Sequence, residues 1–438
     1  MPLTCRGFWK KFLFNINGEQ MEKYSRYNNL FEMPHNQQII MHVDMNSYFA
    51  SCEQQANAAW RGRPLGVCSY LHPKGTIIAA SKEAKKLGVK VGTKLQEAQN
   101  ICPSIVLVRD DPAKYRAITH TLRGILQSYT FKVEHYSIDE SFLYFDKEKS
   151  INEISAIAYK IKERIQKEAG DWLTCSIGIA GTKFFAKVAS DIKKPDGLIV
   201  INDKNVDERL SKMRLTDIWG ISYGLEKQLN RLGVFTPLEL KYVNAAFLLK
   251  NMGKNGYFLW SRLNGLEIDQ IKIDKETNQK SVGNSYTLLE KTRDKDKVAL
   301  LLMKMTEKIG RRLRKKNMQA KVLWIGWKYL YGGGFARREK LAEASNDSWE
   351  LFQHVFGHLQ RKILHDKISK IFINVSGLEK SHELQLSIFE DKIKKIQLSE
   401  SLDKINDKYG EFTISRGAWH NWSEQINDRI SFGKMQDE

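Results

Sequence analysis

Two adjacent carboxylates in β-prone sequence constrain this chain more than any other feature. Asp139 and Glu140 follow Phe131 and Val133 and precede Phe142-Leu143-Tyr144-Phe145. In a straight strand, neighbouring side chains point to opposite faces. Two such acids therefore act together only at a hairpin tip or a kinked strand end. Carboxylates beside a buried strand are costly when unpaired, and a solvated turn is the plainest home for an isolated pair. A third acid in a matching context argues for more. Asp44 closes the run Ile39-Ile40-Met41-His42-Val43, which reads as a buried strand, and a helix is expected just after it, from Ser47 to Ala59. A fold that sets these two strand ends side by side gathers three carboxylates at one sheet edge, a cage for hard divalent cations. Two such cations can clamp a phosphoryl transfer, polarising the attacking hydroxyl and neutralising the leaving pyrophosphate.

The order of elements supplies such a fold. Ile118, Leu122, Ile125, Leu126 and Tyr129 follow helical spacing within 114–129, and the acidic hairpin occupies 131–146. Ser150 and Glu153 stand as a capping box ahead of an inner stripe of Ile154, Ile157, Ile161 and Ile165. Leu173, Cys175, Ile177 and Ile179 then alternate as a strand. With the strand at 39–43, this is the β, α, β, β, α, β order of the ferredoxin-like plan, interrupted after its first strand by an insertion rich in glycine, proline and lysine at 48–112. Inside the insertion, Thr76–Ala80 reads as a strand, and Ser81–Leu87 as a helix carrying Lys82, Lys85 and Lys86. Lys82 shares a helical face with Lys85 or Lys86, which are solvated or reach a triphosphate. Gly181-Thr182-Lys183 opens a further helix with Lys183 and Lys187 one turn apart, an arrangement that suits an anion.

Residues 202–270 become short helices broken by glycines. Gly220 and Gly224 precede one apolar helix, and Gly253 and Gly256 another. These are helix–turn–helix units whose glycines let backbone N–H groups approach a phosphate, or ordinary αα corners. A polar, lysine-rich linker is expected at 271–281. Beyond it a second β, α, β, β, α, β order runs through strand 282–288, helix 294–316, strand 320–330, a glycine turn leading into Arg337-Arg338, helix 347–364 and strand 368–376. The basic run 311–316 and the two arginines suit a nucleic-acid backbone, and the 70 Lys and Arg against 51 acids, a formal +19, argue for a polyanionic partner. Five scattered cysteines speak against a disulfide framework or zinc site and for a reducing cytoplasm. No apolar run approaches membrane-spanning length.

These motifs resemble those of Y-family (translesion) DNA polymerases of the bacterial DNA polymerase IV type. Val43-Asp44-Met45-Asn46-Ser47-Tyr48-Phe49-Ala50 resembles the first metal motif and Ser137-Ile138-Asp139-Glu140 the second. Lys183-Phe184-Phe185-Ala186-Lys187-Val188-Ala189-Ser190-Asp191, followed by Lys194-Pro195-Asp196-Gly197, resembles the segment that closes the palm. The resemblance implies an α+β multidomain chain: an N-terminal extension (1–37), a ferredoxin-like palm (38–47 and 113–201) with inserted fingers (48–112), a helical thumb (202–270), the linker, a βαββαβ little finger (282–380) and a tail (381–438).

It further implies template-directed extension of a primer 3′-hydroxyl with dNTPs, low fidelity on damaged templates, and two Mg2+ per active site. Asp44 and Asp139 would bridge the ions, Glu140 would hold the one that activates the primer, and the Met45 carbonyl would complete the nucleotide-side ion. Phe49 matches the steric gate that excludes a 2′-hydroxyl. Lys85 and Lys187 match triphosphate contacts, and Lys82 stands where many relatives carry Tyr. Asn46 replaces a frequent second Asp, and Trp219-Gly220-Ile221-Ser222 replaces the usual Pro-Gly-x-Gly of the first thumb unit. Gln385-Leu386-Ser387-Ile388-Phe389 resembles the pentapeptide by which bacterial polymerases bind the sliding clamp, although its alternation also suits a last strand. A cytoplasmic monomer on primer–template DNA is expected. The alternative is a non-catalytic relative serving as a DNA-binding adaptor, against which the retained Asp44, Asp139 and Glu140 argue.

Overall fold

The computed structural model describes residues 38–146, 148–268, 279–381, 392–410 and 413–414. They fall into two compact units that divide between residues 275 and 276. The N-terminal extension and the Gln385–Phe389 peptide lie outside the described residues.

The first unit begins with β1 (Gln38–Met45), α1 (Tyr48–Ala56), β2 (Leu65–Cys68), β3 (Ile77–Ala80), α2 (Lys82–Lys86), α3 (Leu95–Ile101) and β4 (Val106–Arg109). It continues through α4 (Pro112–Gln127), β5 (Val133–His135), β6 (Glu140–Asp146), α5 (Ile151–Arg164), β7 (Cys175–Ala180), α6 (Lys183–Ile192) and β8 (Leu198–Val200). Short helices α7 (Val206–Ser211), α8 (Tyr223–Arg231), α9 (Pro237–Tyr242) and α10 (Ala245–Leu263) close it. The main sheet has the order β5-β6-β1-β7-β8. Its first four strands have the ferredoxin-like pairing, with β1 antiparallel to both β6 and β7.

The apolar run of β1 is explained by cover on both faces. Met41 and Val43 pack with Leu122, Ile125, Ile154 and Ile161 of α4 and α5. Ile40 turns the other way, to Phe142, Tyr144 and Phe184. The expected capping box forms, with Ser150 Oγ accepting from Glu153 N–H and the Glu153 carboxylate accepting from Ser150 N–H. Strand β7 and helix α6 approach so closely that a Cβ on Gly178 would lie 2.0 Å from the Ala186 carbonyl oxygen. The insertion builds its own three-stranded sheet, β3-β2-β4.

The second unit comprises β9 (Ser281–Thr292), α11 (Lys295–Lys315), β10 (Met318–Tyr329), β11 (Gly334–Ser345), α12 (Ser348–Arg361), β12 (Ile368–Lys380) and α13 (Lys392–Tyr409). The sequence order repeats that of the palm, but the pairing does not. The sheet runs β11-β10-β12-β9, antiparallel throughout, with the last strand inserted between β9 and β10. Leu302, Ile309, Leu351 and Val355 of the two long helices cover one face, against Leu323, Ile325, Trp327 and Ile371.

The basic run of α11 departs from expectation. Arg314 makes a two-pronged ion pair with Asp403 of α13, at 2.6 and 2.8 Å, and Arg311 binds Asp407 at 2.6 Å. Their guanidiniums are largely buried and anchor a helix, so these two are not free to meet a nucleic-acid backbone. No helix among the described residues is long and apolar enough to cross a membrane.

Candidate active site

The register of the central strands assembles the acids. Asp44 at the end of β1 lies directly opposite Glu140 at the start of β6. Asp139 precedes it in the turn, where its carbonyl accepts the Met45 N–H at 3.0 Å. Tyr136 and Ser137 both donate backbone N–H groups to the Glu140 carbonyl, and the Ser137 hydroxyl donates to Asp139 Oδ1 at 2.6 Å. These bonds make a tight hairpin tip around the two neighbouring acids. Ligand atoms of His42, Asp44 and Glu140 lie within 4.8 Å of one another. The Asp139 carboxylate stands outside that tightest group but lines the same cleft as Asp44.

Lysines meet this charge. Lys194 Nζ is 3.0 Å from Asp44 and 2.7 Å from Asp191, and Lys187 Nζ donates to Glu140 Oε1 at 2.7 Å. Even so, burial pushes the Asp44 carboxyl up to about 6, with Glu140 adding to the rise and Lys194 opposing it. Burial also raises Asp139. Burial alone would lower Lys194, yet Asp44 and Asp191 leave it above its ordinary value. His42, buried beneath with Nδ1 2.8 Å from Ser190 Oγ, is held well below its ordinary value by burial and then by Lys187, Lys194 and Lys183. Burial destabilises Asp44 and Asp139 as bare anions, Asp44 and Glu140 each hold a lysine, and oxygen donors clustered in this way fit divalent metal ions.

Beside the acids opens a cleft of about 500 Å³, lined by Asp44, Asp139, Phe49, Lys82, Lys85 and Lys194 among others. Phe49 lies flat on Tyr115, with ring centroids 4.4 Å apart at 11°. Tyr115 is fixed in turn, its hydroxyl donating to Glu53 Oε1 at 2.7 Å, and Lys114 pairs with the other oxygen of Glu53 at 2.8 Å. Lys85 donates to Ser47 Oγ at 2.8 Å, and its pKa is lowered by burial and by Lys194. Lys82 instead lays its ammonium over the Trp172 ring, 4.5 Å from the centroid.

Comparison with known proteins now gives the family. The impB/mucB/samB family profile matches residues 43–191 and its C-terminal domain profile matches 279–388. DNA polymerase IV of Acetivibrio thermocellus is 30% identical over 387 residues, covering 86% of this chain and 96% of that protein. DNA polymerase IV 1 of Bacillus subtilis is 30% identical over 416 residues, covering 93% and 99%. A solved Y-family DNA polymerase chimera of Dbh and Dpo4 matches with a TM-score of 0.68 at 26% identity, covering 77% of this chain and 98% of the chimera. The chain belongs to the Y-family of DNA polymerases, in its DNA polymerase IV group.

In this polymerase the remaining expected site residues divide. Gly220 (φ 94°) and Gly253 (φ 62°) both adopt the left-handed region with open space where a Cβ would stand, and Gly253 breaks α10. Gly224 lies in the first turn of α8. Gly256 is buried, and a Cβ there would meet the Leu248 carbonyl at 2.9 Å. Its small size serves helix packing rather than exposure of an N–H group. Arg337 and Arg338, both expected to suit a nucleic-acid backbone, are exposed and lie on opposite faces of β11. Arg338 is paired with the half-exposed Trp324 and Arg337 with the buried Ile325.

Lys194 and Tyr115 carried no assigned role in the sequence. Lys194 sits in a loop, where no periodicity says what a side chain touches. Tyr115 falls in a helical pattern that marks it only as core.

Proposed function

We propose that this polymerase, a DNA-directed nucleotidyltransferase of translesion synthesis, holds its metal ions on Asp44, Asp139 and Glu140, and that these are two Mg2+. The observation that carries the reading is the Asp44–Glu140 cross-strand pair, with Asp139 beside it at the mouth of the cleft. Bound there, the ions would polarise the primer 3′-hydroxyl and neutralise the departing pyrophosphate. Asp44 and Asp139 would hold both ions, Glu140 would hold the one that activates the primer hydroxyl, and the Met45 carbonyl would complete the set for the one that serves the nucleotide.

Lys85 and Lys194 line the cleft and take the triphosphate. Lys187 joins them when Glu140 turns to a cation, and Lys82 does so on leaving Trp172. The Phe49 ring bars a 2′-hydroxyl, and its stack on Tyr115 keeps it from swinging aside. Gly220, Gly224 and Gly253 offer backbone N–H groups to the duplex, while Arg338 and Trp324 face it from the open side of the second sheet. Gln385, Leu386, Ser387, Ile388 and Phe389 bind the sliding clamp, and the polymerase works as a monomer in the cytoplasm.

Asp139→Asn tests the metal assignment. Primer extension should be lost while primer–template affinity stays within a few-fold, because affinity comes from cationic contacts to phosphates. Extension by the variant at the wild-type rate with Mg2+ would remove the assignment.

A further inference from the structure

Asn46 stands two residues beyond Asp44, has no place among the proposed ligands, and is almost fully buried. Both polar atoms of its side-chain amide are engaged. Oδ1 accepts from the Thr174 hydroxyl at 3.1 Å and from the Asp196 backbone N–H at 2.8 Å. A backbone N–H can only donate, so the second bond fixes which way the amide points. Nδ2 then donates to Ser176 Oγ at 3.0 Å. That hydroxyl donates onward to the Lys193 carbonyl at 3.2 Å and accepts from the Gly197 N–H at 3.4 Å. The one amide thus grips the 193–197 turn directly at Asp196, and through Ser176 at both Lys193 and Gly197. Lys194 lies between these anchor points, reaching Asp44 and Asp191 and lining the cleft.

We infer that Asn46 is a positioning residue for nucleotide binding, fixing the turn that aims the Lys194 ammonium at the incoming triphosphate. The inference rests on the triphosphate role proposed above for Lys194. The amide is better suited to this task than a carboxylate. A carboxylate would accept from Thr174 and Asp196 equally well, but it has no proton for Ser176. The serine hydroxyl would turn towards it and release the Lys193 carbonyl.

The test measures dNTP affinity for the full-length enzyme on a dideoxy-terminated primer–template, which reads binding without chemistry. Asn46→Ala should weaken dNTP binding about tenfold, the scale of one misplaced charge-assisted contact, with primer–template affinity unchanged as evidence of an intact fold. Asn46→Asp, which loses only the grip on Lys193, and Ser176→Ala, which loses the grip on both Lys193 and Gly197, should each give a smaller loss. In a Lys194→Ala background, Asn46→Ala should cost nothing further. An equal loss in both backgrounds, or none in the wild type, would overturn the inference while leaving Lys194 in its role. A Lys194→Ala enzyme with unchanged dNTP affinity would overturn the Lys194 role, and this inference with it.

Discussion

Asp44→Asn should make the metal-free polymerase more stable at alkaline pH while destroying its activity. In the folded protein the Asp44 carboxyl titrates at about 6 against an ordinary 3.8, chiefly because it is buried. That difference of roughly two units corresponds to about 3 kcal/mol. A raised native pKa means that the folded state holds its proton more tightly than the unfolded chain. Below about pH 4 both states are protonated and no penalty exists. Between about 4 and 6 the unfolded chain ionises first, and above about 6 the full penalty is present. Asp139, also raised by burial, adds in the same direction. An amide at position 44 escapes the penalty, and Lys194 keeps Asp191 as its partner. For a unit of this size each kcal/mol moves the melting temperature by roughly 2–4 °C. In EDTA at pH 8, the first unit of Asp44→Asn should therefore melt several degrees above wild type, and the gap should close near pH 4. Added Mg2+ should raise the wild-type transition and leave that of the variant in place. A variant less stable than wild type at pH 8, or a gap indifferent to pH, would refute the argument.

Phe49→Ala should admit ribonucleotides far more readily, since the ring is held rigidly on Tyr115; unchanged discrimination between dCTP and CTP in single-nucleotide extension would place the gate elsewhere. Gly178→Ala should destabilise the first unit by about 1–3 kcal/mol and slow extension, because the added Cβ drives α6, with Lys187, away from the sheet; a melting temperature equal to wild type would contradict the packing argument. Ile388→Ala with Phe389→Ala should abolish stimulation by the sliding clamp, because a few apolar anchors carry most of such an interface. Equal stimulation would remove the partner, and loss of clamp-free extension would assign the peptide to the second unit's core.

The palm and its acids were legible because several local signals agreed. Strand runs, a capping box and helical stripes gave an order of elements, and the ferredoxin-like pairing then forced Asp44 and Glu140 into register. The second unit shows where that logic ends. Its order of elements is the same, but the sheet places β12 between β9 and β10, and nothing in a string of apolar periods distinguishes the two pairings. Long-range side-chain partners were equally hidden. Asp403 and Asp407 lie far along the chain from Arg314 and Arg311, and a basic run looks alike whether it faces phosphate, water or an acidic helix.

The arginine pair is a different case, because the rule that separates it was available from the start. Adjacent residues inside a strand face opposite sides of the sheet. Asp139 and Glu140 are spared only because the strand begins between them. Glu140 is the first residue of β6 and Asp139 belongs to the turn, where contacts to Ser137 and Met45 shape the hairpin tip, with Glu140 opposite Asp44 and Asp139 lining the cleft that Asp44 also lines. Arg337 and Arg338 both lie within β11, so the same rule divides them between the two faces of the sheet, although both stay exposed on this edge strand. Whether two neighbouring charges act together thus depends less on their identity than on where the strand starts. Turn-forming contacts such as the Ser137–Asp139 hydrogen bond move that boundary by the one residue that decides it.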